Sequence, residues 1–348
     1  MSVKKSAGPK KIVFLILAGL VVCAGAWLYY MIYMGNVELG NKKVEYFYVR
    51  STWKYEDVVN ALEEKKLIKS RSSFEWVAKL KKYKQQVKPG RYRLTESMSN
   101  SSLVNMLRRG DQDPVHFTLN AVRTKEQLAS RVGGKLEADS ITLLHLLNDD
   151  GYLNRFGMTS ANIMSLFIPE TYEFMWTSTP EQFMDRMAKE YKKFWTDDRK
   201  ERAKAIDLSQ SQVMILASIV QEEQTRFPEE RPMIAGVYMN RLREHMRLQS
   251  DPTFRYALGE FDKNRFSDSD TKVDSPYNTY LHKGLPPGPI CFPDAASVDA
   301  VLNYKKHNYL YFCAEYGTGH HLFAVTYDEH EANARKYHEA LDKAGIKH

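Results

Sequence analysis

An apolar segment near the N-terminus constrains the fold of this chain more than any other feature. Residues 12–34 contain no charged side chain, and Trp27, Tyr30 and Tyr33 lie towards their end. About 20 apolar residues in a helix span the hydrocarbon core of a bilayer, and tryptophan and tyrosine favour its interfaces. A cleaved signal peptide would have a shorter apolar core and a small-residue cleavage site, which residues 34–38 do not supply. The sequence predicts a retained transmembrane helix over residues 12–34.

Charge predicts the orientation of that helix. Residues 1–11 carry four lysines and no acid. By the positive-inside rule, this tail is cytoplasmic and the remainder of the chain lies outside the cytoplasm. The net charge is +7, so without the four lysines the rest of the chain is only +3. Such a small excess argues against a nucleic-acid-binding protein.

The cysteines and histidines do not indicate a metal site. Cys23 lies inside the apolar segment, and Cys291 and Cys313 have apolar sequence neighbours. We expect the latter two to pack as small hydrophobic residues, although a bridge between them stays open. The ten histidines are scattered, apart from the pair at 320 and 321.

Three segments after the apolar run repeat one pattern, a short alternating strand followed by an amphipathic helix. Period-2 hydrophobicity that changes to period 3.6 is the signal. The strand and helix pairs are residues 44–49 with 55–64, 90–94 with 99–109, and 115–119 with 124–132, and one further helix is predicted at 72–82. We therefore predict a linker at 35–43, a small α+β module at 44–112 and one large mixed domain at 113–348.

A basic run lies inside the small module. Residues 79–93 hold seven lysines and arginines and no acid. Such a run is typical of a solvated helix face. It also suits contact with anionic lipid headgroups or an anionic polymer, and the sequence leaves both readings open.

The large domain mixes helices and strands. The aromatic segment 166–174 contains Pro169, which favours a loop or an edge strand. The other predictions are helices at 180–195, 210–225, 231–246 and 328–343, few helices in 248–293, and strands at 309–313 and 321–325. The predicted fold class is α+β, with a larger mixed α/β domain after the small module.

One helix of this domain carries a carboxylic acid among apolar residues. At about 100° per residue, Glu223 falls on the same stripe as Leu216 and Ile219, whereas Glu222 points away and is expected to face solvent. Burial disfavours the charged form and raises the pKa of a carboxyl group, which is the state that a general acid needs. When this helix is considered alone, a structural role for Glu223, as a helix cap or in an ion pair, explains the segment equally well.

Three polar loop segments follow within about 45 residues. They begin at Arg247, Ser275 and Gly284, and the last contains four prolines between Gly284 and Pro293. Prolines fix the shape of a loop before a ligand arrives. Tyrosines, amides and carboxylates suit sugar rings, which need flat apolar faces and hydroxyl-matching partners. We interpret these segments as the walls of a binding cleft.

The order of these motifs resembles the YceG-like family of endolytic murein transglycosylases. The resemblance rests on the motifs Ala217-Ser218-Ile219-Val220-x-x-Glu223, Ala235-Gly236-Val237-Tyr238-Met239-Asn240-Arg241-Leu242, Leu248-Gln249-x-Asp251-Pro252-Thr253, Ser275-Pro276-Tyr277-Asn278-Thr279-Tyr280, Gly284-Leu285-Pro286-Pro287-Gly288-Pro289 and Tyr309-Leu310-Tyr311-Phe312, with Pro169-Glu170-Thr171-Tyr172 upstream. Many members have Glu-Lys-Glu where this chain has Gln221-Glu222-Glu223. The resemblance thus gives the catalytic role to Glu223, as the helical stripe does.

The resemblance implies a transmembrane helix in the bacterial cytoplasmic membrane, a LysM-like module and an extracytoplasmic catalytic domain that cuts nascent peptidoglycan strands. It implies a lyase without metal or cofactor that forms 1,6-anhydroMurNAc ends, with the cell-wall synthesis machinery as an expected partner. Residue type and motif together suggest eight substrate-binding residues: Gln249, Asp251, Thr253, Tyr277, Asn278, Tyr280, Asn240 and Glu170.

Two other functions stay open at this point. If Asp251 is a second catalytic carboxylate, the chain is a peptidoglycan hydrolase, because hydrolysis normally uses two acids. If no bond is cut, the chain is a membrane-tethered cell-wall scaffold. The scaffold leaves the acid among apolar residues unexplained.

Overall fold

The computed structural model describes residues 9–120, 122–261 and 270–343, and most of the predicted tail at 1–11 lies outside them. Its helices are α1 Pro9–Tyr33, α2 Tyr55–Glu64, α3 Arg71–Leu80, α4 Asn100–Arg109, α5 Lys125–Gly133, α6 Ser140–Leu146, α7 Asp150–Leu153, α8 Pro180–Phe194, α9 Asp197–Ala205, α10 Gln210–Glu223, α11 Arg231–Arg243, α12 Asp251–Leu258, α13 Ala295–Leu302 and α14 Tyr327–Lys343. Its strands are β1 Val44–Val49, β2 Gly90–Thr95, β3 Val115–Thr118, β4 Thr171–Phe174, β5 Tyr311–Ala314 and β6 His321–Ala324. The mixture of helices and short strands agrees with the predicted class.

The chain forms two compact units. The first contains the residues up to Val115 with Lys135–Glu137 and Glu173–Ser178, and the second contains the remainder. In the first unit, β1 and β2 pair antiparallel from Val44 opposite Thr95 to Val49 opposite Gly90. Alternate strand residues point inward, where helices α2, α3 and α4 cover them. The strand–helix alternation predicted for this region is confirmed.

The segment predicted as a linker, residues 35–43, is instead part of the first unit. Val37 is fully buried in its core, and Leu39 is almost fully buried. The backbone NH groups of Asn36 and Val37 both donate to the carbonyl of Met98. Residues 35–43 show no regular hydrophobic period, and for that reason the sequence predicts a linker. Two of them, Val37 and Leu39, nevertheless pack into the hydrophobic core of the first unit.

Helix α1 contains the one segment in the described part of the chain that is long and apolar enough to cross a membrane, Val13–Tyr33. Its large apolar side chains are exposed, including Phe14 and Trp27. An exposed apolar helix cannot be the core helix of a water-soluble domain, since burial of apolar surface is what stabilises such helices. The finding fits the predicted single-pass anchor.

The second unit is built around α10, which packs against α11, α12 and α13. Its eight residues from Val213 to Val220 are all buried, so the helix is surrounded on every side rather than covered along one stripe. Ser209 caps the N-terminus by a capping box with Gln212. In α11, a Cβ on Gly236 would lie 2.3 Å from the carbonyl oxygen of Lys305, so only glycine permits this close approach.

The C-terminal part is an antiparallel hairpin covered by α14. Tyr311 pairs with Ala324 and Ala314 with His321. The predicted strands and terminal helix are confirmed to within two residues, and 166–174 does contain an edge strand, β4. The prediction missed α6, α7, α9, α12 and α13. Helix α9 buries only Ala203, so it has no apolar stripe to detect, and α12 starts inside a segment read as loop.

Candidate active site

Glu223 is the last residue of α10. The next residue, Gln224, has extended backbone angles and ends the helix. Glu223 as a whole residue is partly exposed, whereas the eight residues from Val213 to Val220 are buried. The acid therefore lies where the buried helix ends, close to the exposed residue Asp251.

Burial raises the pKa of Glu223 from 4.5 to about 7. Loss of solvation is the largest cause, because a charged carboxylate is poorly stabilised away from water. Hydrogen bonds from Ser250 and Tyr238 lower the pKa, and the nearby charge of Asp251 raises it. Burial therefore favours the protonated form of Glu223 near neutral pH, which is the direction that the helical pattern predicts.

Two hydroxyl groups hold the carboxyl group by the same oxygen. The hydroxyl of Tyr238 donates to Oε1 of Glu223 at 2.6 Å, and Oγ of Ser250 donates to the same atom at 2.5 Å. Within the described parts of the chain, Oε2 accepts no hydrogen bond. The arrangement orients the group and leaves Oε2 to carry a transferable proton. The sequence patterns predict neither role, although Ser250 stands between two of the predicted binding residues.

The loop that carries Ser250 has an unusual backbone. Gln249, just before it, has a positive φ of 49°, a conformation that side chains other than glycine rarely adopt. The NH of Gln249 donates to the carbonyl of Thr279 at 3.2 Å, and the NH of Ser250 donates to Oγ1 of Thr279 at 3.0 Å. These bonds hold the strained loop against the second polar segment.

Arg241 on α11 also holds this loop. Its side chain is buried, with 7% of its surface exposed. Nη1 donates to the carbonyl of Leu248 at 2.8 Å and to Oε1 of Gln249 at 3.3 Å, and Nε donates to the carbonyl of Leu310 at 2.6 Å. One planar guanidinium group thus joins the loop before Ser250 to the residue preceding β5.

Four of the predicted binding residues are accessible and lie close to this loop in the chain or in space. Gln249 and Asp251 are exposed on either side of Ser250, and Tyr277 and Tyr280 are partly exposed. The hydroxyl of Tyr280 donates to Oδ1 of Asp251 at 2.5 Å. The charges of Asp251 and of Glu223 both raise the pKa of Tyr280, which places the three groups near one another.

The other four predicted residues have different surroundings. Asn278 is fully buried and donates to the carbonyls of Thr271 and Val273, and Thr253 is fully buried with its hydroxyl on the carbonyl of Ser250. Nδ2 of Asn240 donates to the carbonyls of His307 and Tyr309. Glu170 is exposed, and its carbonyl accepts from Leu119. These contacts give Asn278, Thr253 and Asn240 a part in shaping loops.

The neighbours of Glu223 on α10 are all tied to other elements. Glu222 was expected to face solvent, but it forms an ion pair with Arg123 at 2.9 Å. Oε1 of Gln221 accepts from the NH of Asp294 at 2.7 Å. Gln224 donates to Glu230 at 2.8 Å, and Glu230 also contacts the rings of His320 and His321. The end of α10 is therefore fixed on several sides.

The third polar segment, 284–293, is packed more closely than a cleft wall requires. Ile290 and Phe292 are buried, and the NH of Ile290 donates to Oγ of Ser218 at 3.0 Å. Cys291 is buried and not bonded to Cys313, in agreement with the expectation of a small hydrophobic residue. A surface cavity of about 690 Å³ lies elsewhere, beside Tyr191, Lys204 and the start of α10, and Glu223 does not line it.

A carboxylic acid with a raised pKa, fixed by two hydroxyl groups and lying near Asp251 and Tyr280, is the arrangement that a general acid requires. The sequence model of the YceG-like family matches residues 47–336. The chain therefore belongs to the YceG-like family.

Three relatives show how far the similarity extends. The chain is 29% identical over 333 residues to an endolytic murein transglycosylase of Bacillus subtilis, covering 91% of each protein. It is 28% identical to an endolytic murein transglycosylase of Streptococcus pneumoniae over 81% of its own length and 56% of that protein. A crystal structure of a yceG-like protein from Listeria monocytogenes matches with a TM-score of 0.55 and 29% identity, over 84% of this chain and 99% of the other.

Proposed function

We propose that this protein is a membrane-anchored endolytic transglycosylase that cuts peptidoglycan strands between MurNAc and GlcNAc. The observation that carries the proposal is Glu223, whose burial raises its pKa to about 7 and whose Oε2 is not occupied by any described residue. The relatives named endolytic murein transglycosylase supply the substrate class and the reaction.

In the proposed mechanism, one carboxyl group acts twice. Protonated Glu223 donates its proton to the glycosidic oxygen as the bond from that oxygen to C1 of MurNAc breaks. The resulting carboxylate then accepts the proton of the MurNAc C6 hydroxyl as the C6 oxygen bonds to C1. The nucleophile belongs to the substrate, so no water has to be positioned, and the product carries a 1,6-anhydroMurNAc end.

The number of acids supports a lyase over a hydrolase. A hydrolase would use a second carboxylate to activate water or to attack the sugar. Asp251 is the nearby candidate, but it already accepts a hydrogen bond from Tyr280. Four residues with accessible surface suit binding of the acetamido and hydroxyl groups of the strand rather than catalysis: Asp251, Tyr280, Tyr277 and Gln249.

The proposal includes the location of the enzyme. Helix α1 would cross the cytoplasmic membrane with the lysine-rich tail inside, and the first unit would be the LysM-like module next to it. The catalytic unit would then lie outside the cytoplasm, where it meets strands near their site of synthesis and ends their elongation. Partnership with the synthesis machinery belongs to the same proposal.

Analysis of the cut ends tests the reaction. Full-length protein in detergent is incubated with purified glycan strands, and the new ends are identified by mass spectrometry. We expect 1,6-anhydro ends. Reducing ends would show that the protein is a hydrolase that uses Asp251 and not a lyase. Intact strands would show that it is a scaffold that cuts no bond.

Substitution tests the residue. Glu223→Gln should lower the cleavage rate by about 10²–10⁴-fold, because a general acid contributes that much. Glu222→Gln is the matched control, since it removes the adjacent acid, which is paired with Arg123, and it should retain cleavage. The assignment of Glu223 is wrong if Glu223→Gln retains cleavage and Glu222→Gln loses it.

A further inference from the structure

The outer end of α1 is fixed to the first unit rather than followed by a free linker. Nδ2 of Asn100, a buried side chain, donates to the carbonyl of Met31 at 3.0 Å. Ile32 packs against the core of the unit, and Gly35 forms a bridge with Ser99. A helix held in this way keeps whatever surface lies beside it at a constant depth in the membrane.

A cavity of about 310 Å³ lies at this junction, and we call it the juxtamembrane cavity. Its lining includes Trp27, Tyr30 and Met31 of α1, with Lys69, Ser72 and Asn100 from the rest of the first unit. Apolar and aromatic side chains from α1 form one wall, and a lysine with polar residues forms the other. No carboxylate is among them, so the cavity disfavours cations.

The polar wall offers a positive charge and hydroxyl groups. Lys69 is exposed, and within the described residues its ammonium group has no ion-pair partner. Ser72 is exposed, and its hydroxyl lies 3.2 Å from that of Ser70. A phosphate group needs both features, a cation and hydrogen-bond donors.

Depth adds a second requirement. The 21 apolar residues Val13–Tyr33 reach about 30 Å at 1.5 Å per residue, which equals the hydrocarbon core. Tyr30 and Trp27 then lie about 5 Å and about 9 Å inside the outer boundary of the hydrocarbon. Lys69, whose backbone NH donates to the carbonyl of Asn36, lies beyond the end of the helix, among the headgroups. The cavity thus changes from apolar to cationic in the same direction as a phospholipid changes from acyl chain through glycerol to phosphate.

We infer that the juxtamembrane cavity binds the headgroup of an anionic glycerophospholipid of the outer leaflet. The glycerol and upper acyl chain lie against Trp27, Tyr30 and Met31, and the phosphate lies between Lys69 and Ser72. The inference rests on the membrane-anchoring part of the proposed function and is independent of the cleavage chemistry. A bound headgroup adds a second attachment of the first unit to the bilayer.

Lipid retention tests this site. Full-length protein in detergent is mixed with equal amounts of phosphatidylglycerol and phosphatidylcholine, and the lipids that stay bound are counted by native mass spectrometry. We expect one phosphatidylglycerol per chain in preference to phosphatidylcholine. Lys69→Glu should lower its retention at least about tenfold, since the substitution replaces an attractive charge beside the phosphate by a repulsive one.

Two further variants distinguish binding in the juxtamembrane cavity from general electrostatic attraction of an anionic lipid to the protein. Lys79→Glu makes the same charge change at the other end of α3, outside the cavity, and should retain the lipid. Ser72→Trp fills the cavity from an exposed position without changing the charge, and it should lose the lipid. Equal retention by wild type and Lys69→Glu, or equal losses in the two lysine variants, would overturn the inference.

The same samples distinguish this inference from the proposed function. Cleavage of soluble strands and sedimentation with membranes should be unchanged in Lys69→Glu. If Lys69→Glu retains phosphatidylglycerol as the wild type does, and its sedimentation and cleavage are normal, the lipid site alone is overturned. A wild-type chain that does not sediment with membranes overturns the anchor and the lipid site together, while the cleavage assay still stands.

Discussion

At the scale of single residues, the site depends on the cost of ionising Glu223. Its neighbours Ser250 and Tyr238 offset part of that cost by donating to one carboxyl oxygen, but loss of solvation is the larger effect. The result is a pKa of about 7 rather than 4.5. An acid in this range donates a proton near neutral pH and can take one back afterwards, as the proposed two-step mechanism requires.

The same shift predicts a pH-dependent stability. The pKa of Glu223 is near 4.5 in the unfolded chain and about 7 in the folded protein. Below pH 4.5 the group is protonated in both states, so its favourable contribution is fully present. As the pH rises through 7 that contribution is lost, by an amount on the order of 3 kcal/mol.

Glu223→Gln removes this titration. We expect the variant to melt several degrees above the wild type at pH 8 and close to it at pH 4.5, measured by thermal unfolding in one detergent. Glu229→Gln, a change at an exposed acid, serves as the control and should show no such trend. A constant difference between Glu223→Gln and wild type over this pH range would contradict a buried, raised-pKa acid.

Sequence patterns identified Glu223 but not the hydroxyl groups that hold it. The acid was visible because its spacing from Leu216 and Ile219 follows the helix period. Ser250 and Tyr238 belong to different elements, 27 and 15 residues further along the chain. No local period relates them to Glu223. Conversely, Asn278 and Thr253 were predicted to bind substrate from residue type, and the structure shows that their polar atoms are used within the protein.

At the scale of elements, α11 controls the loop that carries Ser250. Arg241 donates to the carbonyl of Leu248 and to the side chain of Gln249, whose backbone is strained. A lysine at this position keeps the charge but cannot form the forked contacts. Loss of these contacts should release the loop and withdraw Ser250 from Glu223.

The pH profile of cleavage checks this coupling. Cleavage by the wild type should decline as the pH rises through about 7, where Glu223 loses its proton. Ser250→Ala removes a hydrogen bond that lowers the pKa, so the decline should move to higher pH. Arg241→Lys should move it in the same direction and lower kcat by up to about 100-fold through misplacement.

Non-additivity completes the test. The double variant should show the decline at the same pH as Ser250→Ala alone, because both changes act through one hydrogen bond. If Arg241→Lys lowers the rate equally at every pH, then Arg241 supports the fold and does not position Ser250.

Elements with a regular hydrophobic period were predicted well, and the others were not. Helices α2, α8 and α10 each have buried residues at helical spacing or long apolar runs, and their predicted ends are within two residues of those observed. Helix α9 consists mainly of charged residues, and it is stabilised by the Thr196 cap and by pairs such as Arg202 with Asp198. Neither feature produces an apolar pattern.

At the scale of the whole molecule, the first unit includes the end of the apolar helix α1. Ile32 packs on its core, and Met31 supplies a carbonyl to the buried amide of Asn100. Cutting the chain after α1 therefore leaves a buried donor without its partner and exposes part of the core.

Two truncations measure this contribution. A chain that begins at residue 36 should unfold in its first unit a few degrees below a chain that begins at residue 27, which keeps Met31 and Ile32. Both are measured in the same detergent, so that exposed apolar surface is treated alike. Equal melting of the first unit in the two chains would show that the end of α1 contributes nothing to its stability.

Local patterns in the chain were sufficient for the apolar helix α1, the strand–helix alternation and the acid on α10, since each depends on residues within one or two helical turns. Contacts between distant residues were needed for the rest. The hydroxyl groups on Glu223, the Arg241 contacts and the incorporation of residues 35–43 into a core join parts of the chain that no period connects. Burial sets the pKa of the acid, and burial exists only once those parts have packed together.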